Sequence, residues 1–447
     1  MEKVDSIICG EYILTMNEAL DVLSRGAVAV KGRRIVDLGA EDVVLKRYSA
    51  EKIVEGKGRA VLPGLVNTHT HAAMVYFRGL ADDLPLKEWL EKHIWPAEGA
   101  LLSPDFVYDA AGLACLEMVK AGITAFNDMY FFGSSTAKAA REIGIRAFLG
   151  AGIVDFPSMT AKTPDEYLGN AEGFIREWKG DGLITPGLAP HSAYACSPET
   201  LRKITKTAER LDVRISIHLA ETQWEVGEIV SRHGKRPVEH LEAVGFLNER
   251  LLAAHCVWVD DREMELLAKK GVGVSHCIES NLKLASGIAP VTAMLKSGLK
   301  VTFGTDGAAS NNDLNILSEM STAAKVHKAM SQDPTALDSA TALLMATRWG
   351  AEALGIGAEA GSLEKGKLAD LIAIDLRKPH FTPIYDVFSH IVYAAMASDV
   401  DTVMVDGRLI VDGKRVVACD EDALLHRASE WEKRVSAYHN TNHKSRT

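Results

Sequence analysis

Two hydrophobic patterns alternate along most of this chain. Short apolar or β-branched runs are followed by stretches whose apolar residues recur every three or four positions. The runs are AVLPGLVNTH, GITAFNDM, IRAFLGAGI, LITPGLAPH, VRISIHLAE, LLAAHCVWV, GVGVSHC and KVTFGTD; helical stretches between them include ETLRKITKTAERL and DREMELLAKK. A continuous apolar run suits a strand covered on both faces, and a 3.6-residue period suits a helix packed on one. Eight such pairs in series predict an α/β chain built on a (β/α)8 TIM-like barrel. An open doubly wound sheet would carry a Gly-rich dinucleotide or phosphate fingerprint, and the sequence has neither.

The two ends read differently. YILTM, GAVAV and RRIVDLG near the start, and DLIAIDL and TVMVDGRLIVDGKRVV near the end, are short strands broken by turns. The pairs Asp406-Gly407 and Asp412-Gly413 are hairpin signals. Residues 1–60 and 370–420 are therefore expected to form one small β-sandwich, with the barrel over 61–369 and a C-terminal helix and tail over 421–447. SATALLMATRWGAEALGIG predicts one helix closed by Gly355 and Gly357. The polar end HNTNHKSRT is expected to fray.

Composition narrows the function classes. The 447 residues are 47% hydrophobic and 25% charged, enough to bury a large core. A formal net charge of −10 speaks against nucleic-acid or anionic-membrane partners. Six cysteines with no CxxC pair read as reduced thiols. The start MEKVDSIICG lacks a signal-peptide layout and no apolar run is long enough to span a bilayer, so a cytoplasmic location is expected.

The chemistry gathers at strand ends. His69 and His71 close the first run, and residues two apart in a strand face the same side. His191, His218, His255 and Asp306 close the fourth, fifth, sixth and eighth, and Glu221 follows His218 by three. In a barrel these ends meet at one mouth. A lone histidine is more often packing, but five histidines and two acids at one mouth point to a metal. Imidazole and carboxylate suit a divalent ion, which lowers the pKa of a bound water to about 7. Glu221 beside that water can move protons. The set predicts metal-assisted hydrolysis. No lysine ends the fourth run, which favours one metal over a lysine-bridged pair. Cys256 and Cys277 each follow a histidine and should face away from the mouth as buried structural thiols. His276 is open between mouth and packing.

PGLVNTHTH, HLAE, AHCVWV and GTDGAASNN, with the later GSLEKGKLADLIAID, resemble the amidohydrolase superfamily over nearly the whole chain. WPAEGAL, APHSAYACSPE, HLAETQWEV and SNLKLASGIAPV are similar to the 5-methylthioadenosine/S-adenosylhomocysteine deaminases within it. The resemblance implies one divalent metal per chain on His69, His71, His218 and Asp306, Zn²⁺ first, with Fe²⁺ or Mn²⁺ also suited to these donors. It implies water attack on C6 of an adenine ring. Asp306 would accept the water's proton, His255 would orient the water, and Glu221 would protonate the ring nitrogen next to C6. Glu98 would hold the ribose hydroxyls and His191 would add a hydrogen bond.

The expected partner is thus a small adenosine-type substrate: 5′-methylthioadenosine, S-adenosylhomocysteine or adenosine. A homo-oligomer is also expected. Guanine, cytosine and s-triazine hydrolases of the same superfamily are rival readings. So are a binuclear hydrolase of cyclic amides and a non-catalytic scaffold. One departure stands out: many members place a substrate-contacting arginine where this chain has Ala151, and Arg78 is a candidate replacement. Trp95 and Trp224 are candidates for stacking on the purine, and Phe131, Phe132 and Phe156 for lining a thioether pocket.

Overall fold

The computed structural model describes residues 1–444. Its centre is an eight-stranded parallel sheet made of Leu65–Thr70, Ile123–Tyr130, Arg146–Ile153, Ile184–Pro190, Ile215–Leu219, Leu251–His255, Gly273–His276 and Lys300–Phe303. Spatial order follows chain order, and helices fill most of the intervals. Residues Leu65–Thr70 and Ile123–Tyr130 are buried without exception, which is why these strands read as unbroken apolar runs. The first and eighth strands share no ladder. Between them the Thr68 hydroxyl donates to the Phe303 carbonyl at 2.8 Å, and the Asp306 N–H donates to the His69 carbonyl at 3.0 Å. These bonds bring the barrel close to closure at the functional strand ends.

One expected strand is two. Arg59–Pro63 pairs antiparallel with Leu371–Asp375 in a second sheet, and the chain enters the barrel at Leu65. Gly64 makes the crossing: a Cβ there would lie 2.0 Å from Thr124 Oγ1. The apolar run is continuous because both sheets bury it, so hydrophobicity alone cannot show the change of sheet.

The second sheet is mixed and nine-stranded, and it draws on both termini. Its strands are Glu2–Leu14, Val22–Lys31, Arg34–Ala40, Tyr48–Val54, Arg59–Pro63, Leu371–Asp375, Val400–Val405, Arg408–Asp412 and Arg415–Val416. Alternate residues serve two layers. Ala60, Leu62, Ile372 and Ile374 join the large core shared with the barrel, while Val61, Leu371 and Ala373 pack with Ile8, Val28 and Val30 inside the sheet domain. Asp406 and Gly407 both take positive φ (54° and 76°), as a tight hairpin turn between right-twisted strands needs. Arg146 on the third barrel strand, almost wholly buried, pairs with Asp370 at 3.0 Å and Asp406 at 3.3 Å, tying sheet to barrel.

Two helical expectations change. SATALLMATRWG forms Ser339–Ala346 and Arg348–Ala353, broken at Thr347 (φ −128°, ψ −92°), whose hydroxyl turns back to the Leu343 carbonyl at 2.5 Å. The tail is helical from Glu421 through Lys444, its last three residues lying outside the described ones. Trp431 Nε1 donates to Asp109 Oδ2 at 2.9 Å, fixing this helix on Pro104–Lys120.

The six cysteines are free, and Cys256 and Cys277 are fully buried. No helix among the described residues is long and apolar enough to cross a membrane. Residues Leu86–Leu101 form a run of short helical turns reaching over the barrel mouth, with side chains of both ends lining the cavity beneath.

Candidate active site

The donor atoms of His69, His71, His218 and Asp306 lie within 4.8 Å of one another at the barrel mouth. Local backbone groups aim them. His71 Nδ1 meets the Met129 carbonyl at 2.7 Å and His218 Nδ1 meets the His191 carbonyl at 2.8 Å. Each ring thus donates outward and turns Nε2 inward, the arrangement in which a histidine ligand is oriented from behind. The two Nε2 atoms stand 3.1 Å apart. Two lone pairs at that separation repel unless a proton or cation lies with them. His69 Nε2 is buried with no hydrogen-bond partner and faces Asp306 Oδ1 at 3.4 Å.

One buried carboxylate sets the charge of this cluster. Burial favours a neutral Asp306, but the close approach of the His69 and His71 rings outweighs it and holds the carboxyl well below its usual range. Burial also opposes a charged His71, yet its contacts with Asp306 lift it to about 9. Burial pushes His69 down to about 4 and His218 well below the usual histidine value. The buried carboxylate therefore draws positive charge to this spot, as a proton on His71 or as a cation in its place. Converging nitrogens, an orphaned Nε2 and this demand for positive charge together fit a single divalent metal.

The backbone at these positions is strained. His255 and Asp306 have φ of 71° and 61°, and Ala220, just before Glu221, has 50°. Such conformations cost about 1–3 kcal/mol each and persist where surrounding bonds hold them. The glycines around Asp306 are a matter of space. A Cβ on Gly304 would lie 2.4 Å from Ser275 Oγ, and one on Gly307 would lie 2.8 Å from Met74 Sδ. Asp306 Oδ2 accepts from Ser280 Oγ at 2.7 Å and Ser310 Oγ at 2.6 Å, leaving Oδ1 toward the histidines.

Glu221 is buried beside this cluster. Its Oε1 accepts from Ser286 Oγ at 3.1 Å and its Oε2 lies 3.8 Å from His255 Nε2. Burial raises its pKa, so the protonated form extends toward neutral pH. Glu225 holds it from below: its carboxylate accepts the N–H groups of Ala220 and Glu221, both at 2.9 Å. The Thr222 hydroxyl in turn accepts the Glu225 N–H. This reciprocal capping fixes the turn that carries Glu221. His255 Nδ1 pairs with Asn281 Oδ1 at 2.9 Å, so Nε2 faces the cavity.

Above the cluster lies a cavity of about 510 Å³. Glu98 lines it, buried and accepting a hydrogen bond from Tyr130 OH at 2.6 Å. Burial raises Glu98 to about 7, against that bond. His191 also lines the cavity, and burial pushes it down to about 3, leaving a neutral ring. Trp95, Phe131 and Phe156 line it as well.

Other candidates stand elsewhere. Trp224 faces a neighbouring pocket with Lys87 over its ring, and Phe132 starts a helix. His276 is fully buried behind the mouth, its Nε2 3.0 Å from that of His327. Ala151 is half-buried and does not line the cavity. Arg78 is also outside it, bound to Glu117, which corrects its candidacy as the replacement cation. A side chain seven residues past His71 passes over the rim onto a neighbouring helix. Sequence reasoning missed Tyr130, Glu225, Asn281, Ser280 and Ser310. Only Glu225 carries a local signal, the T-x-x-E spacing from Thr222.

The model of the amidohydrolase family matches residues 60–410. The chain is 52% identical over 431 residues to a 5-methylthioadenosine/S-adenosylhomocysteine deaminase of Thermodesulfovibrio yellowstonii, covering 96% of this chain and 98% of that one. It is 46% identical over 426 residues to a 5′-deoxyadenosine deaminase of Methanosarcina acetivorans, covering 95% and 96%. The crystal structure of an adenosine deaminase from Xanthomonas campestris with bound zinc superposes with a TM-score of 0.96 at 40% identity, over 98% of this chain and 99% of that one.

Proposed function

The chain belongs to the amidohydrolase family, and from that premise we propose that it is a metal-dependent hydrolytic deaminase of 5′-substituted adenosines, 5′-methylthioadenosine and S-adenosylhomocysteine foremost. One observation carries the reading. A single cavity holds a buried proton donor, Glu221, beside a cluster that fits a metal, and a second buried carboxylate, Glu98, on the side of the second strand. A free base has no diol for Glu98 to hold.

His69, His71, His218 and Asp306 would hold one divalent cation, zinc by donor preference, with iron(II) or manganese(II) as the other ions these donors accept. Bound there, it supplies a water acidified to a pKa of about 7. Asp306 would take a proton from the attacking water, its carboxylate held in place by the hydroxyls of Ser280 and Ser310. His255, its ring fixed by Asn281, orients the water toward C6 with Nε2. Glu221 gives its proton to the ring nitrogen beside C6, keeping charge off the purine as C6 becomes tetrahedral. Asp306 passes its proton to the amino group, and ammonia leaves. Glu221 takes back the hydroxyl proton as the C6 carbonyl forms. Glu98 accepts hydrogen bonds from the ribose diol, and His191 contributes one more. A cytoplasmic location and a homo-oligomeric state are part of the same proposal; light scattering tests the oligomeric state.

The test assays the zinc-loaded protein for ammonia release on 5′-methylthioadenosine, S-adenosylhomocysteine, 5′-deoxyadenosine, adenosine, guanine and cytosine, and for chloride release on a chlorotriazine. Turnover of the nucleosides is expected. Activity confined to free bases or triazines would overturn the proposal.

A further inference from the structure

The loop after the third barrel strand forms the outer wall of the cavity. Phe156 and Met159 line that wall and are 41% and 37% exposed, a large apolar surface left open to solvent. Lys162 follows on the same loop and is the one lysine or arginine among the lining residues. Its Nζ reaches the Ser158 carbonyl at 3.5 Å, and no carboxylate among the described residues forms an ion pair with it. Other cations nearby are engaged: Lys283 bonds Asp82, Lys87 lies over Trp224, and Arg78 is bound to Glu117.

The loop is built. The Ser158 N–H donates to the Ala161 carbonyl at 2.9 Å, and the Lys162 N–H to Glu166 Oε2 at 2.6 Å. Tyr167 OH donates to the Phe156 carbonyl at 3.1 Å. It also adjoins the ribose side of the cavity. Trp95, three residues before Glu98, contacts Phe156 with ring centroids 5.8 Å apart. Glu221 stands just past the end of the fifth strand, away from this loop. An occupant with its base at Glu221 and its sugar at Glu98 therefore points its 5′ end at Phe156, Met159 and Lys162.

We infer that Lys162 is a specificity-determining residue for 5′-thioether adenosines whose side chain ends in a carboxylate, with Phe156 and Met159 covering the thioether. This rests on the deaminase reading and names what it leaves open, the choice at the 5′ position. Among the lining residues this one unpaired ammonium at the rim is the group placed to meet an anionic tail, so it decides how well such a tail is held.

The test compares kcat/KM for S-adenosylhomocysteine and 5′-methylthioadenosine in wild type, Lys162→Ala, Lys162→Arg and Lys162→Glu. The ratio of the first substrate to the second is expected to fall ~3–5-fold in Lys162→Ala, through KM, as suits one exposed charge contact. It should fall further in Lys162→Glu and recover in Lys162→Arg. A ratio unchanged in both Ala and Glu variants overturns the Lys162 assignment while leaving deamination intact. Failure of wild type to deaminate either nucleoside overturns the functional reading instead, and this inference with it.

Discussion

The floor and the rim of the cavity are built in opposite ways. At the floor, Asp306, Glu221 and His218 are buried, stand at or just past strand ends, and have oxygens or ring nitrogens tied down by named partners. Positive φ at His255, Asp306 and Ala220 adds strain that only a rigid frame can hold. At the rim, Phe156 and Met159 stand open and Lys162 keeps one long contact. Bond-making needs groups fixed before the substrate arrives, whereas selection needs surface that the substrate itself completes.

Breaking the floor should have the largest effect. Asp306→Ala removes both a metal donor and the water's proton acceptor, so bound metal by elemental analysis and turnover should be lost together. Full metal occupancy in that variant would place the cluster's role elsewhere. Glu221→Gln keeps shape and metal but removes the proton donor, and kcat should fall by ~10²–10⁴. Unchanged kcat would remove Glu221 from the chemistry.

Glu225→Ala tests whether the floor depends on its support. The Ala220–Glu221 turn would lose both carboxylate acceptors, and a displacement of about 1 Å at a reacting group costs up to ~100-fold in kcat. The loss should appear in kcat with metal retained. An effect confined to KM would argue against a positioning role.

The smallest effect concerns stability. Glu98 and Glu225 are each raised by burial from 4.5 to about 7. Between those values the fold binds more protons than the unfolded chain, so their contribution to stability declines as pH rises through that window and is lowest above 7. Glu98→Gln removes one such group. Its fall in Tm between about pH 5 and about pH 8 should be smaller than that of wild type. An equal fall would mean that Glu98 holds no extra proton in the fold.

The floor is far more legible in the sequence than the rim. Strands buried on both faces read as apolar runs, and spacing alone puts His69 and His71 on one face. The change of sheet at Gly64 is hidden because both sheets bury the run. The break at Thr347 is hidden because it depends on one hydroxyl turning back on its helix. Asn281, Ser280 and Ser310 reach the site across barrel gaps from distant sequence positions, and no local pattern announces such contacts. Arg78 misled because the sequence does not show which side of the rim a long side chain takes. Lys162 is visible only once the loop is seen to line the cavity.

The central claim is hydrolysis at C6 by groups at the floor. Turnover of 5′-methylthioadenosine by the zinc-loaded protein in ¹⁸O-water tests it most directly. The account predicts one ammonia released and one labelled oxygen at C6 of the purine product in each turnover. Ammonia-free conversion, or a product without label at C6, would contradict it.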